Sequence, residues 1–147
     1  MRNEMRRVVC LILVSLAAAG CSKAKSGGGE DPNSRLKALM AIIGQATSRL
    51  GHPPKTEKEL RDYIASEGTA TLESFKVASA DELLVSPRDN QLYVIVYGKP
   101  DPKMAPGVIV YEQTGQDGVR KVGFNLGYVE EANETRFREL VPNPGTP

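Results

Sequence analysis

A short apolar run near the N-terminus limits how much of this chain is available for folding. Residues 8–20 read VVCLILVSLAAAG and follow a charged segment that holds Arg2, Arg6 and Arg7. As a helix, these 13 residues would span about 20 Å, whereas the hydrocarbon layer of a bilayer is about 30 Å thick. The pattern is typical of a secretion signal over residues 1–20, so the fold has to be built from the residues that follow.

The residues at the end of this run resemble the lipobox of bacterial lipoproteins. Ala18, Ala19 and Gly20 are small and directly precede Cys21, although Ala18 stands where the family most often has Leu. The resemblance implies cleavage between Gly20 and Cys21 and an acylated Cys21 as the first mature residue, held in the lipid membrane. Two other interpretations stay open: an ordinary signal peptide that leaves Cys21 as a free thiol, and an uncleaved short anchor.

Cysteine content, charge and the residue after Cys21 limit which covalent bonds, partners and membrane we expect for the mature chain. Cys10 lies inside the predicted signal, so Cys21 would be the sole mature cysteine and no internal disulfide could form. The full chain has 19 basic and 18 acidic side chains, which argues against nucleic acid as a partner. Ser22 follows Cys21. In the well-studied envelope sorting system only an Asp at that place signals retention in the inner membrane, so the resemblance favours the outer membrane.

A polar segment separates the predicted anchor from the rest of the chain. Residues 22–33 read SKAKSGGGEDPN, which contains three consecutive glycines and no large apolar side chain. This composition is typical of a flexible tether. The sequence therefore predicts a lipidated cysteine and tether over residues 21–33, a single α+β domain over residues 34–141, and a disordered tail over residues 142–147.

Apolar residues recur at helical spacing directly after the tether. They predict an amphipathic helix over Leu36–Leu50, with Asn33 or Ser34 as its N-cap and Gly51 as its stop. Gly44 lies in the middle of this helix, where glycine costs about 1 kcal/mol relative to alanine. We expect a close approach of the sheet backbone at Gly44 as the reason for it.

A second, shorter helix follows the first. Thr56 and Glu59 form a capping box that begins it, and Gly68 is expected to end it. Ser79 and Glu82 then indicate one more short helical turn. These elements complete the helical half of the domain.

The second half of the chain has the composition of β-strands. Two short segments, TGQDG and NLG, have the length of hairpin loops, whereas the loop Gly98–Gly107 has three prolines and is a stiff excursion. Asn133 caps a last helical turn. We therefore predict an α+β fold with the N-terminal helix packed on a three- to four-stranded antiparallel sheet. The predicted strands are residues 91–98, 107–113, 119–125 and 128–132.

The order of these elements carries a second resemblance. The phrases SPRDNQLYVIVYG and VIVYEQTGQDGVRKVGFNLGYVEE, with a closing ETRFREL, resemble small lipoproteins of the planctomycete type, whose globular part resembles the pseudopilins of type II secretion. The similarity covers residues 35–141 and implies a pilin-like fold, but its motifs carry no known chemistry. A lipobox and a glycine tether stand in place of a prepilin peptidase site and a polymerising helix, so we do not expect a filament-forming subunit.

Residue usage excludes several classes of active site. His52 is the only histidine and lies in a turn, so we do not expect it to act as the base of a Ser-His-Asp triad or a Cys-His pair, and with no cysteine beyond Cys21 a Cys/His metal cage is excluded. Gly27–Gly29 precede no Lys-Ser or Lys-Thr pair, which excludes a phosphate loop. Asp101 and Asp117 are too scattered to favour a calcium site. We therefore predict no catalytic residue, no metal and no cofactor, and expect that the protein is not an enzyme.

Carboxylates and tyrosines need no motif to form a site. Glu130 and Glu131 are neighbours on a predicted strand and would point to opposite faces, so they could not act jointly. Tyr93, Tyr97 and Tyr111 are expected to share a face if their strands pair. We interpret them as cross-strand packing, with a binding patch as the alternative.

Two functions remain open from the sequence. The first is a non-enzymatic envelope lipoprotein that presents its domain to another protein, through an exposed sheet edge or through the loop Gly98–Gly107. The second is a protein that binds a small ligand or glycan between the helix and the sheet. A large apolar pocket with converging tyrosines and carboxylates would favour the second function.

Overall fold

Helices come first along the chain, strands follow, and one helix ends the domain. The computed structural model describes residue 31 and residues 33–145, so the predicted signal peptide, Gly20, Cys21 and most of the predicted tether lie outside the described residues. The helices are α1 (Ser34–Leu50), α2 (Glu57–Tyr63), α3 (Thr69–Ser74), α4 (Ala80–Leu83) and α5 (Glu134–Leu140), and the strands are β1 (Val94–Ile95), β2 (Val108–Tyr111), β3 (Val119–Phe124) and β4 (Val129–Asn133). The fold class is α+β, as predicted.

Helix α1 begins two residues before the predicted start and ends where the sequence predicts. Asn33 is its N-cap residue, but the Asn33 side chain makes no capping hydrogen bond. The Asn33 amide oxygen instead accepts a hydrogen bond from the Lys121 ammonium of β3. At the other end, Gly51 takes a φ of 75°, and its N–H donates to the Thr47 carbonyl at 2.9 Å. The predicted stop at Gly51 is confirmed.

The glycine at the contact between helix and sheet lies on the strand, not on the helix. Gly44 is exposed, and a Cβ built there would meet nothing within 4 Å, so the close approach expected at Gly44 is wrong. The buried face of α1 passes through Met40 and Ile43 and leaves Gly44 outside it. On β3, a Cβ at Gly123 would lie 2.6 Å from the Met40 sulfur and 2.8 Å from Val110 Cγ1.

The second helix does not end at Gly68. Its start is confirmed, because the Thr56 side chain accepts a hydrogen bond from the Glu59 N–H at 3.2 Å. After Tyr63 the chain makes a π-helical turn over Ile64–Gly68 and continues as α3. Gly68 has an ordinary right-handed conformation, with φ −83° and ψ −9°, and therefore does not terminate the helix.

The turn predicted from Ser79 and Glu82 is α4. The Ser79 side chain accepts a hydrogen bond from the Glu82 N–H at 3.1 Å, as an N-cap does. The predicted cap of the last helix is confirmed in the same way, since Asn133 accepts from the Arg136 N–H at 2.9 Å. Both caps were recognisable because a small polar residue precedes a helical turn in each case.

The four strands form one antiparallel sheet in the order β1–β2–β3–β4. Each strand therefore lies beside its neighbour in the chain, which confirms the upper end of the predicted strand number. The first predicted strand is much shorter than expected. The Tyr93 N–H donates to the Leu84 carbonyl at 2.8 Å and the Gly98 N–H donates to the Pro54 carbonyl at 2.9 Å, so both ends of the run leave the ladder.

The hydrophobic core is divided between the two faces of the sheet. One cluster includes Leu39 and Ile43 of α1 together with Val110. The other cluster includes Val122 and Phe137, the latter on α5. Residues alternate between the two clusters on β1, as successive side chains on a strand do, whereas on β2 the register shift between Val108 and Val110 interrupts the alternation.

The chain beyond α5 continues along the domain as far as it is described. The Asn143 side-chain amide donates to Asp101 at 3.1 Å, and the Gly145 N–H donates to the Tyr111 hydroxyl at 2.8 Å. Residues 146 and 147 of the predicted tail lie outside the described residues. In the part of the chain that the structure describes, no helix is both long and apolar enough to cross a membrane.

Candidate interaction surface

The sequence-predicted lipidation site cannot be placed, since Gly20 and Cys21 lie outside the described residues. His52 is in the turn after α1, as expected. Its Nδ1 lies 2.9 Å from the Pro53 carbonyl oxygen, and its Nε2 lies 3.9 Å from a Glu59 carboxylate oxygen. No nucleophile is among these contacts, so they describe a turn residue held by its neighbours.

The acidic residues considered as site candidates lie apart from one another. Glu130 pairs with Arg136 at 2.6 Å, whereas Glu131 lies 3.8 Å from the Lys121 ammonium. Asp101 accepts hydrogen bonds from the Lys103 N–H and from Asn143. Among the described residues, no three His, Cys, Asp or Glu side chains gather as a metal site would require.

A buried carboxylate that the sequence analysis missed links β2 to the loop before β1. Glu112 is 1% exposed. One of its oxygens accepts from the Ser86 hydroxyl at 3.0 Å, and the other accepts from Arg88 at 2.9 Å and from the Lys121 N–H at 2.8 Å. A glutamate directly after the apolar run VIVY was the available signal. Every partner belongs to the same domain, so the cluster connects the loop before β1 to β2 and β3.

Asp89 fastens the same loop to the hairpin between β2 and β3. Burial alone would raise its pKa. Hydrogen bonds from the backbone N–H groups of Gly115, Thr114 and Gln91, with the Thr114 hydroxyl, outweigh that effect and hold the pKa of Asp89 below its usual value. The Asp89 carboxylate is therefore a loop-closing group that favours the ionised form.

The three tyrosines do not form one patch. Tyr93 belongs to the hydrophobic cluster that contains Leu39 and Ile43 of α1, and Tyr97 packs against that cluster. Tyr111 belongs to the cluster on the other face of the sheet. The register pairs Tyr111 with Val94, which places Tyr93 on the opposite face. Desolvation by burial raises the pKa of Tyr97 to about 12. The expectation of a shared face is wrong for Tyr111.

An apolar groove lies beside the C-terminal half of α1. Its volume is about 280 Å³. Ile43, Gly44 and Thr47 form the helix side, and Gly98 and Pro100 of the predicted interaction loop form part of the opposite side. Further lining comes from Pro53 and from residues of β2, and Asn125 of the β3–β4 hairpin closes one end.

Three lysines are close in sequence to residues that line this groove. Lys55 follows the groove residue Pro53 by two positions, and Lys99 and Lys103 belong to the loop Gly98–Gly107. All three lysines are exposed. None of them forms an ion pair with a carboxylate of the described residues.

The β3–β4 hairpin carries two exposed apolar side chains next to the groove residue Asn125 in sequence. Leu126, at the tip, is 84% exposed, and Tyr128 is 49% exposed. The Tyr128 ring stacks on the Phe124 ring with the centroids 4.3 Å apart. Leu126 is the most exposed large apolar side chain among the described residues. Hairpin tips usually carry polar residues, so an apolar side chain there is unusual.

The N-terminal end of α1 lies next to the last residues of the predicted tether, Asp31 and Asn33. Asp31 pairs with Lys37 at 2.8 Å, and Asn33 accepts a hydrogen bond from Lys121. The Lys37 ammonium and the Asn33 N–H both bond to the Asp31 carboxylate and hold its pKa below the usual value. These contacts fix the direction in which the chain joins the domain.

The sheet has one covered edge and one open edge. On one edge, the Leu84 and Pro54 carbonyl groups accept hydrogen bonds from the N–H groups of residues 93 and 98, which flank β1. On the other side, β4 pairs with β3 alone among the described strands. β4 carries Glu130 and Glu131, and charged side chains on an edge strand discourage pairing with other chains.

No protein-family model matches this chain, and neither a curated protein nor a solved structure is significantly similar to it.

Proposed function

We propose that this protein is a non-enzymatic envelope lipoprotein that presents a small pilin-like domain to another protein. Cys21, acylated after cleavage behind Gly20, holds the mature chain in the membrane, with the outer membrane favoured. Residues 22–33 form the tether, and the domain that follows supplies the contact surface. The lipobox resemblance and the geometry of the domain support the proposal from independent parts of the chain.

One observation carries the proposal: the N-terminal end of α1 and the apolar groove lie towards opposite ends of the helix. Strand β3 runs beside the helix, with Lys121 at Asn33, Gly123 at Met40, and Asn125 at the groove. The 14 residue steps from Asn33 to Thr47 correspond to about 20 Å of helix. A chain anchored before Asn33 therefore carries its groove and hairpin tip away from the point of attachment.

The ionisable groups of the domain support a non-enzymatic role. Glu112 and Asp89 are buried or partly buried and are engaged by structural partners. His52 contacts the carbonyl of the next residue. A catalytic group would instead need a cleft with a reacting partner at hand.

The alternative, a site for a small ligand or glycan between helix and sheet, has less support. The groove does lie between α1 and the sheet. Its side-chain hydrogen-bonding groups are those of Thr47 and Asn125, and no tyrosine or carboxylate lines it. Glycan sites rely on several converging polar groups, so the composition of the groove favours contact with a protein.

Site-specific photocrosslinking in the native host tests this proposal. A photoreactive amino acid is placed at Leu126, on the hairpin tip, or at Lys58, whose side chain is 81% exposed on α2. The two positions are matched in exposure and differ in location. We expect a discrete protein adduct from position 126, none from position 58, and loss of the adduct when Cys21→Ser prevents anchoring.

Equal adducts from positions 126 and 58 would mean that the tip has no special contact and would contradict the proposal. An adduct from position 58 alone would contradict it as well. An adduct at position 126 that is unchanged by Cys21→Ser would show that the contact does not depend on the membrane anchor, and the lipoprotein part of the proposal would then be wrong.

A further inference from the structure

We infer that residues 141–145, which follow α5, form a strap that holds the loop Gly98–Gly107 in one conformation. The strap runs from the end of α5 along the face of the sheet that α5 covers, as far as Tyr111. Because three residues of the loop line the groove, the strap acts on one wall of that groove. The sequence leads us to expect a disordered tail over residues 142–147, and the inference gives residues 142–145 a structural role instead. It concerns the fold of the domain and does not depend on the proposed function.

The strap is attached at both of its ends. At its start, Val141 is buried in the cluster on the α5 face of the sheet, and its N–H donates to the Phe137 carbonyl at 2.7 Å. Near its end, the Gly145 N–H donates to the hydroxyl of Tyr111, a buried residue, at 2.8 Å. A Cβ at Gly145 would lie 3.8 Å from Val94 Cγ1, which is an ordinary van der Waals contact. The segment between these ends is therefore held against the domain.

The sequence of the strap favours a fixed course. Pro142 and Pro144 flank Asn143, and proline fixes its own φ and restricts the residue before it. A segment that has few conformations in the unfolded chain loses little entropy when it is ordered. Because proline has no N–H to donate, the segment is poorly suited to pair as a strand. Its polar contacts go to side chains of the domain instead.

The middle of the loop depends on the C-terminal part of the chain for its hydrogen bonds. Among the described residues, residues 99–106 bond to two groups outside the loop and the strand that follows it. The Ala105 N–H donates to the Leu140 carbonyl at 2.7 Å, and the Asp101 carboxylate accepts from the Asn143 side-chain amide at 3.1 Å. The first of these groups belongs to α5, and the second belongs to the strap.

Asp101 connects the strap to a turn within the loop. One of its carboxylate oxygens accepts from Asn143, and the other accepts from the Lys103 N–H at 2.8 Å. The Asp101 carbonyl accepts from the Met104 N–H at 2.9 Å. The hydrogen bonds from Lys103 and Asn143 hold the pKa of Asp101 below its usual value, so the carboxylate is ionised at neutral pH. Without Asn143, the turn over residues 101–104 would lose its contact with the strap.

Hydrogen exchange of individual backbone amides, measured by NMR on the full chain in mild detergent at neutral pH, tests the strap. Asn143→Asp removes the amide donor and places a second carboxylate against Asp101. The double variant, Asp101→Asn with Asn143→Asp, exchanges donor and acceptor, so the hydrogen bond can form in the reverse direction. Gln45→Glu is the control for an added negative charge, because Gln45 is exposed on α1 and its side-chain oxygen can still accept from Thr71.

We expect the Lys103 and Met104 amides to exchange about tenfold faster in Asn143→Asp than in the native chain, as for loss of a hydrogen bond to a charged group. The Ala105 amide should exchange at its native rate, because its acceptor, Leu140, precedes the strap. The double variant should restore the native rates of both loop amides, and the charge control should leave them unchanged.

Four results would overturn the inference. The first is native exchange of the Lys103 and Met104 amides in Asn143→Asp. The second is a double variant that fails to restore them, since the effect would then not come from the hydrogen bond. The third is equally fast exchange in the charge control, and the fourth is an equal increase at Ala105, which would indicate general loosening of the domain. Each readout uses the purified protein, so its failure leaves the crosslinking test of the proposed function unaffected.

Discussion

Glu112 and Asp89 show how single acidic residues hold the loops of this domain. Glu112 lies in the interior and binds Ser86, Arg88 and the backbone of Lys121 through two oxygens. Asp89 sits three residues after Ser86 and closes the neighbouring hairpin. Both carboxylates therefore hold loops of the domain in place.

Removing the buried carboxylate should be costly. Glu112→Ala leaves the Arg88 charge and the buried Ser86 hydroxyl without their acceptor, and loss of one partner from a buried ion pair typically costs about 3–5 kcal/mol. We therefore expect the free energy of unfolding in urea to fall by about 3 kcal/mol. The control is Glu139→Ala, an exposed glutamate 3.0 Å from the Arg136 guanidinium, which should cost less than about 1 kcal/mol. Equal losses for the two variants would contradict the role assigned to Glu112.

The depressed pKa of Asp89 predicts a specific dependence of stability on pH. A carboxyl whose pKa is lower in the folded than in the unfolded state adds stability above the unfolded value, about 3.9, and loses that contribution as pH falls through the folded value. Asp89→Asn removes the charge and keeps one acceptor oxygen. The difference in unfolding free energy between the native chain and Asp89→Asn should therefore be constant at neutral pH and shrink below about pH 4.

Urea unfolding at a series of pH values measures this difference. Asp62→Asn serves as the control for removal of a negative charge, because Asp62 belongs to an exposed pair with Lys58 on α2. A difference for Asp89→Asn that stays constant or grows on acidification would contradict the assigned cause of the pKa shift.

Substitution by alanine should change the free energy of unfolding in opposite directions at Gly123 of β3 and at Gly44 of α1. The difference reflects how α1 packs on the sheet. Gly123→Ala would place a Cβ 2.6 Å from the Met40 sulfur and 2.8 Å from Val110, so we expect a loss of about 1–3 kcal/mol in unfolding free energy. Gly44→Ala has open space and a helical backbone and should gain up to about 1 kcal/mol. Thermal and urea unfolding of both variants measure the two signs. A loss at Gly44 or a gain at Gly123 would refute this account of the contact.

The sequence predicts where a helix begins or ends well when hydrogen bonds within one turn determine that position. Asn133, Thr56 and Ser79 are caps whose side chains bond within one turn, and Gly51 ends α1 through its own positive φ. The prediction for Gly68 is wrong because its backbone stays right-handed and the π-helical turn Ile64–Gly68 continues directly into α3. Glycine marks a possible end of a helix, and the surrounding structure decides whether the end occurs.

The candidate surface could not be predicted at this level. The groove brings together α1, the turn at Pro53, the loop Gly98–Gly107 and the hairpin at Asn125, which are far apart in the chain. The sequence did indicate that loop as a contact site, because its three prolines make it stiff.

For the whole molecule, the N-terminal end of α1, which follows the proposed tether, and the apolar groove lie towards opposite ends of the helix. Asn33 contacts Lys121 at the first end, and Gly44 lines the groove towards the other. The proposed function requires that the chain is held at its N-terminal side. Anchoring through Cys21 is therefore the central claim of the account.

The most direct test is the intact mass of the protein extracted from membranes of its native host, with the N-terminal peptide sequenced by tandem mass spectrometry. The account predicts a mature chain that begins at Cys21 and carries acyl chains on that residue. A soluble chain with an unmodified Cys21, or a chain that keeps residues 1–20, would contradict it.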